Sequence, residues 1–325
     1  MTSVPLSILD LASIGEGETA AESFAGSVAL AQLAERTGYR RVWYAEHHGM
    51  PTIASSATAV LIAHIAANTS TIRLGAGGVM LPNHSPLVIA EQFGTLAELH
   101  PGRIDLGLGR APGSDQRTTH ALRRDPAGAE QFPQDVVELR GLLSDESPIP
   151  GVRAVPGQGT HVPLYILGSS TFGAQLAAVL GLPYAFASHF APQALHEAIR
   201  IYRERFTPSA QLDRPYVIAG VNVIAADTDE AARANLEIVR RARVRGFFGR
   251  DGDLTDEQVE AILRSPQAAA IEQMLTYSAV GTPQAVAAYL DEFVAQTGAD
   301  ELMTVHHAPG VAERLRSVEL LASTR

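Results

Sequence analysis

The sequence predicts an α/β protein of eight parallel strands, each followed by a helix and closed into a barrel. Three observations carry that prediction. Eight short apolar segments recur along the 325 residues, without the polar alternation of half-exposed strands, as expected where helices cover both faces. Between them lie segments with helical spacing and clear stops. Eight regular units in strict alternation favour closure over an open doubly wound sheet, so the expected architecture is a (β/α)8 TIM barrel. No linker, internal repeat or low-complexity tract interrupts the chain, and residues 1–325 read as one domain.

The expected strands are 5–10 (PLSILD), 41–45 (RVWYA), 72–77 (IRLGAG) and 104–109 (IDLGLG), then 163–168 (PLYILG), 184–188 (YAFAS), 216–223 (YVIAGVNV) and 301–306 (ELMTVH). The first helix, over 24–37, places Phe24, Val28, Ala31 and Ala34 at helical spacing and stops before Gly38. Helix 56–68 is apolar on nearly every face, more than a barrel helix needs, which predicts that a second copy of the chain covers it together with helix 85–100. Helix 85–100 opens at Ser85 as N-cap and stops at Pro101-Gly102. Asp227 followed by Glu230 resembles a capping box for helix 229–245. Helix 283–297 has Thr282 as N-cap, Pro283 at its first position and Gly298 after its end. Two stretches are too long for simple connections: 110–131, after the fourth strand, and 246–281, after the seventh helix, where one or two extra helices are expected. Such insertions in a barrel shape or cover the active site.

Composition narrows the function classes. A net charge of −10 without a basic stripe opposes binding to nucleic acid or anionic membranes. The absence of cysteine excludes disulfides, thiolate metal sites and a thiol nucleophile, and fits a reducing compartment. The N-terminal stretch lacks the basic region of a signal peptide, and no apolar run reaches the length of a membrane span. A soluble cytoplasmic protein is expected.

In this fold catalytic groups come from the C-terminal ends of several strands. Those ends gather Asp10, Glu46-His47-His48, Gly77-Gly78, Gly109-Arg110, Gly168-Ser169-Ser170, Ser188-His189, Asn222 and His306-His307. The segment 168–180, GSSTFGAQLAAVL, follows a strand and opens a helix, whose first N–H groups form a ready anion site. Ser169 and Ser170 could serve only as caps, but Arg110 on the neighbouring strand end supplies charge and a bidentate fork, which points to a phosphate. Adjacent Gly77 and Gly78 in an apolar strand mark a special backbone or the close approach of a flat ligand, against the plainer reading of a bulge. Strand alternation lets only one histidine of each pair face the pocket, and His47 is the one expected to act there. A metal site could be drawn from His47, His189, His306 and Asp10, although the His-x-His of many metal-dependent barrel hydrolases is missing from the first strand. The run GLGRAPG at 107–113 mimics a dinucleotide fingerprint, but it sits on the fourth strand and opens no helix directly.

Four segments carry a family resemblance: VWYAEHHG at 42–49, IRLGAGGVMLPNHSPLVIAEQFGTLAELHPGRIDLGLGRAPGSD at 72–115, VGTPQAVAAYL at 280–290 and DELMTVHHAPGVAERLRSVELLA at 300–322. In order and over essentially the whole chain, they resemble bacterial luciferase-like flavin monooxygenases of the non-luminous kind. The resemblance implies reduced FMN as cofactor, supplied by a separate NAD(P)H:flavin reductase, with O2 and a small organic substrate as partners and oxidation through a flavin hydroperoxide. It implies a homodimer. By position it assigns His47 as the catalytic histidine, Gly77-Gly78 as a cis peptide behind the flavin ring, and Arg110, Gly168, Ser169 and Ser170 as cofactor-binding residues around the phosphate, with no metal. Gly109 stands where luciferase has a reactive cysteine, which argues against light emission and a long-chain aldehyde substrate. Three alternatives stay open at this stage: hydride transfer with a deazaflavin, a metal-dependent barrel hydrolase, and a flavin-binding relative without activity.

Overall fold

The structure, a computed structural model, describes residues 4–111, 116–249 and 254–324. Among the described residues nine strands form: β1 (Leu6–Asp10), β2 (Arg41–Tyr44), β3 (Arg73–Met80), β4 (Ile104–Gly109), β5 (Leu164–Gly168), β6 (Tyr184–Phe186), β7 (Val217–Ala225), β8 (Ser278–Gly281) and β9 (Glu301–His306). Eight of them close a parallel barrel in the order β1 to β7 and then β9, which returns to pair with β1. The closed eight-stranded parallel barrel with flanking helices is the expected fold.

The helices are α1 (Ala20–Arg36), α2 (Thr58–Ala67), α3 (Pro86–Leu99), α4 (Gln116–Ala121), α5 (Phe132–Leu142) and α6 (Thr171–Leu180), followed by α7 (Leu195–Arg205), α8 (Asp229–Phe248), α9 (Asp256–Leu263), α10 (Ala268–Met274), α11 (Pro283–Thr297) and α12 (Val311–Ala322). Thr282 caps α11 as expected, accepting from the Ala285 amide. At α8 the cap is Thr228, which accepts from Ala231; the expected Asp227 instead pairs with Arg316. Ser85 holds the N-cap position of α3 without a side-chain capping bond. Helix α1 begins four residues earlier than its apolar pattern, because Thr19 and Glu22 form a capping box there.

The ninth strand was not expected. The second insertion contributes α9, α10 and β8, part of it (250–253) lying outside the described residues, as do Pro112 and Gly113 of the first. Strand β7 outruns the three-residue β6, whose last partner on it is Ala219. Beyond that point β8 pairs with Asn222–Ala225, covering backbone groups that would otherwise form an open edge.

Alternation along the strands fills the barrel lumen with Leu9, Trp43, Ala45, Tyr165, Ala185, Ile218, Met303 and Val305, while the opposite faces join the core beneath the helices. Below the apolar layer, at the strands' N-terminal ends, lies an ionic floor. Arg41, 1% exposed, reaches Asp105 at 2.7 Å and Glu301 at 2.9 Å and donates to the Tyr165 hydroxyl. Arg73 joins Asp105, and the Ser7 and Tyr216 hydroxyls donate to Glu301. Burying such charges is costly unless they are paired, so this end of the lumen is closed by paired charges.

Candidate active site

The same alternation sorts the residues at the strand C-termini. Leu9 faces the lumen, so Asp10 faces outward: it accepts from the Ser27 hydroxyl at 2.6 Å and the Ala12 amide at 2.9 Å, and pairs with Arg314. Likewise Met303 and Val305 face inward and His306 outward, bonded to Ser317 at 2.8 Å and Thr304 at 3.2 Å. Burial and Arg314 push its pKa down to about 3. Neither residue belongs to the mouth, which removes two of the four ligands imagined for a metal. Among the described residues no group of three or more histidine, aspartate or glutamate side chains could hold a metal ion.

Past the end of β2 the three residues divide their roles. Glu46, 2% exposed, turns toward the end of β3, where it accepts from the Met80 amide and meets His84 at 2.8 Å and His48 at 2.9 Å. Burial raises its pKa, but the hydrogen bonds from the two histidines and Met80 outweigh that and hold the carboxyl below the ordinary range. His48 is thus tied to Glu46. His47 is fixed through its backbone N–H, which donates to the Ser55 carbonyl at 3.2 Å, and its imidazole lies close enough to His189 to oppose that ring's protonation. In an eight-stranded barrel the ends of β2 and β6 stand opposite each other, so these histidines approach across the mouth.

On β3 the Gly77–Gly78 peptide is cis, as the family resemblance implies, and the pairing with β4 skips from Ala76 to Val79 at that point. Next in order come Arg110, at the end of β4, and Gly168-Ser169-Ser170, between β5 and α6. The Arg110 guanidinium stacks on Phe172 in the first turn of α6, 4.2 Å from the ring centre. Ser170 is the N-cap of α6, yet its hydroxyl makes no capping bond; the loop is held instead by the Tyr184 hydroxyl donating to the Ser170 carbonyl at 3.0 Å. A Cβ built on Gly168 would meet nothing nearer than 3.8 Å, so the ground before the helix N-terminus is open. Open space, a Ser170 hydroxyl that makes no capping bond, helix N–H groups and a stacked cation fit a phosphate. His47, Gly77-Gly78, Arg110 and Ser169-Ser170 thus lie on four consecutive strand ends, an arc of three strand spacings or about 14 Å.

The opposite side of the mouth is built from β7 and β9. Asn222 is fully buried; its amide nitrogen donates to the His189 carbonyl at 2.8 Å and the Ser278 hydroxyl at 3.2 Å. That orients its Oδ1 toward His307 Nε2 at 2.9 Å and Arg243 at 3.2 Å. The His189 ring lies over Gly220, where an added Cβ would fall 2.5 Å from Nδ1; only glycine leaves it room. Burial, Arg243 and His47 push the His189 pKa down to about 3, and burial, Arg243 and neighbouring histidines keep His307 well below its ordinary value.

A family model described as luciferase-like monooxygenase matches residues 4–301. The chain belongs to the luciferase-like monooxygenase family. The luciferase-like monooxygenase of Escherichia coli (strain K12) is 50% identical over 320 residues, 98% of this chain and 96% of the relative. The N-acetyl-S-alkylcysteine monooxygenase of Bacillus subtilis (strain 168) is 39% identical over 273 residues, 81% of this chain and 80% of the relative. Among solved structures, apo-MsnO8 superposes with a TM-score of 0.87 at 37% identity, covering 98% of both chains. Two more distant structures share the fold alone. One is the FMN-bound oxygenating constituent of 3,6-diketocamphane monooxygenase from Pseudomonas putida, with a TM-score of 0.73 at 18% identity over 98% of this chain and 97% of that one. The other is an F420-dependent secondary alcohol dehydrogenase, with a TM-score of 0.70 at 15% identity over 100% of both.

In this luciferase-like monooxygenase the mouth contains one group that the sequence did not single out. Arg243 projects from α8, a helix of the outer layer, over the end of β7. No strand-end rule selects it. The signal lay in the neighbouring charges: along RRARVR, Arg240, Arg241 and Arg245 each have glutamate or aspartate partners, and Arg243 has none among the described residues.

Proposed function

We propose that the chain is an FMN-dependent monooxygenase that takes reduced FMN from a separate NAD(P)H:flavin reductase and oxygenates a small organic molecule. The observation that carries the reading is the corner made by Arg110, Phe172 and the α6 N-terminus beside the glycine-lined ends of β3 and β4. The Arg110 fork, the first amides of α6 and the Ser169 and Ser170 hydroxyls would hold the phosphate of FMN. Gly77 and Gly78 would let the flat ring approach the sheet. Reduced FMN supplies two electrons, so that one atom of O2 enters the substrate and the other leaves as water. The protein's part is to position, to exclude water with the apolar lumen, and to move a proton at the His47 imidazole. Family membership and the FMN-bound neighbour support this reading. N-acetyl-S-alkylcysteines are the first substrates to try, because a relative is named for them.

The test is titration with FMN, oxidised and, under anaerobic conditions, reduced. Charge-assisted hydrogen bonds contribute about 1.5–3 kcal/mol each, so Arg110→Ala should weaken FMN at least about tenfold. An unchanged dissociation constant would remove Arg110 from the site. Tight binding of the deazaflavin F420 with none of FMN would replace oxygenation by hydride transfer.

A further inference from the structure

Two arginines stand at the mouth of this barrel without a carboxylate partner among the described residues, and the phosphate accounts for only one. The other, Arg243, is half-buried on the β7–β9 side, away from Arg110 and α6. Its donors are underused. A guanidinium carries five N–H groups, and the protein offers it the Asn222 Oδ1 at 3.2 Å and the His307 Nε2 at 3.1 Å. Those two contacts compete. His307 Nε2 lies 2.9 Å from the same Asn222 Oδ1; if it donates there, it has no lone pair left for Arg243. Among the described residues at most two of the five donors are met, and burial lowers the guanidinium pKa to about 10. The buried His189 Nδ1 also lacks a hydrogen-bond partner among the described residues. The remaining donors of this half-buried cation are open to an anionic acceptor entering the mouth.

We propose that Arg243, oriented by Asn222 and His307, binds the carboxylate of the substrate, so that the substrate is a small organic acid whose oxidised group reaches toward His47. The planar fork matches a carboxylate bidentately. The site stands across the mouth from the phosphate corner: Asn222 links Arg243 to the His189 carbonyl, and the end of β6 that carries His189 faces the end of β2 that carries His47. The substrate assignment rests on the monooxygenase reading, but the anion site rests on its own geometry.

The experiment compares binding of N-acetyl-S-methylcysteine and its methyl ester by calorimetry, with and without saturating reduced FMN under anaerobic conditions. The acid should bind wild-type protein at least tenfold more tightly than the ester. Arg243→Gln should weaken the acid at least tenfold, Arg243→Lys less, and neither should alter the ester or shift FMN binding more than threefold. Equal binding of acid and ester, no binding of the acid at millimolar concentration, or undiminished acid binding by Arg243→Gln would overturn the proposal. Should Arg243→Gln fail to fold, the acid–ester ratio in the wild type decides alone. Loss of FMN binding by the wild type would sink the monooxygenase reading, leaving the acid–ester comparison to judge the carboxylate site separately.

Discussion

His47 and His48 are chain neighbours with different environments. His48 is bonded to Glu46, whereas His47 lies near His189 at the mouth. If His47 moves the proton during oxygenation, His47→Ala should lower reductase-coupled turnover by about 10²–10⁴-fold, the usual range for a general acid–base group. FMN affinity should stay within a few-fold, since the phosphate corner lies three strands away. His48→Ala should affect thermal stability more than turnover. Full coupled activity in the His47 variant would remove it from the mechanism. These positions were legible because strand ends are legible: once β2, β4 and β5 are placed, His47, Arg110 and Ser169 follow. Asp10 and His306 were misplaced for want of one parity step, since each is preceded by an inward-facing residue. Arg243 was invisible because a helix presents its side chains all round, and only tertiary packing fixes which arginine of four points inward.

At the level of elements the eight barrel strands could be read from apolar runs, and Thr282 with Gly298 bounded α11 correctly. Strand β8 could not be read, since it forms only where β6 ends and β7 continues, a fact of register. Equally hidden was the contact between α3 and the segment before β5. A Cβ built on Gly94 would lie 2.1 Å from the Gly157 Cα, and one on Gly157 would lie 2.3 Å from the Ala90 carbonyl oxygen. Helix α3 therefore packs backbone against backbone there. Gly94→Ala should destabilise the protein by roughly 1–3 kcal/mol through overpacking, read as a lower urea midpoint. A midpoint equal to wild type would show that the segment yields freely.

For the whole molecule, the surface carries a further expectation. Val60 on α2 is 71% exposed, and Val88 and Leu99 on α3 are 43% and 64% exposed, on two helices that contact each other. Apolar side chains facing outward from adjacent helices suit a two-fold interface. Light scattering at micromolar concentration should give a dimer, and Val60→Glu should shift it toward monomer; a wild-type monomer would leave these helices as ordinary surface. No helix among the described residues is long and apolar enough to cross a membrane, so a lipid bilayer spanned by α2 or α3 is not what covers them.

The ionic floor of Arg41, Asp105 and Glu301 has a consequence for traffic. With those side chains at 0–1% exposure, nothing passes through the barrel from below, so of its two ends only the mouth admits a guest. A molecule that settles deepest must arrive before those stacked over it and can depart only after they have gone. Sequence of departure is then the reverse of sequence of arrival, imposed by the vessel and not by the affinity of any one guest.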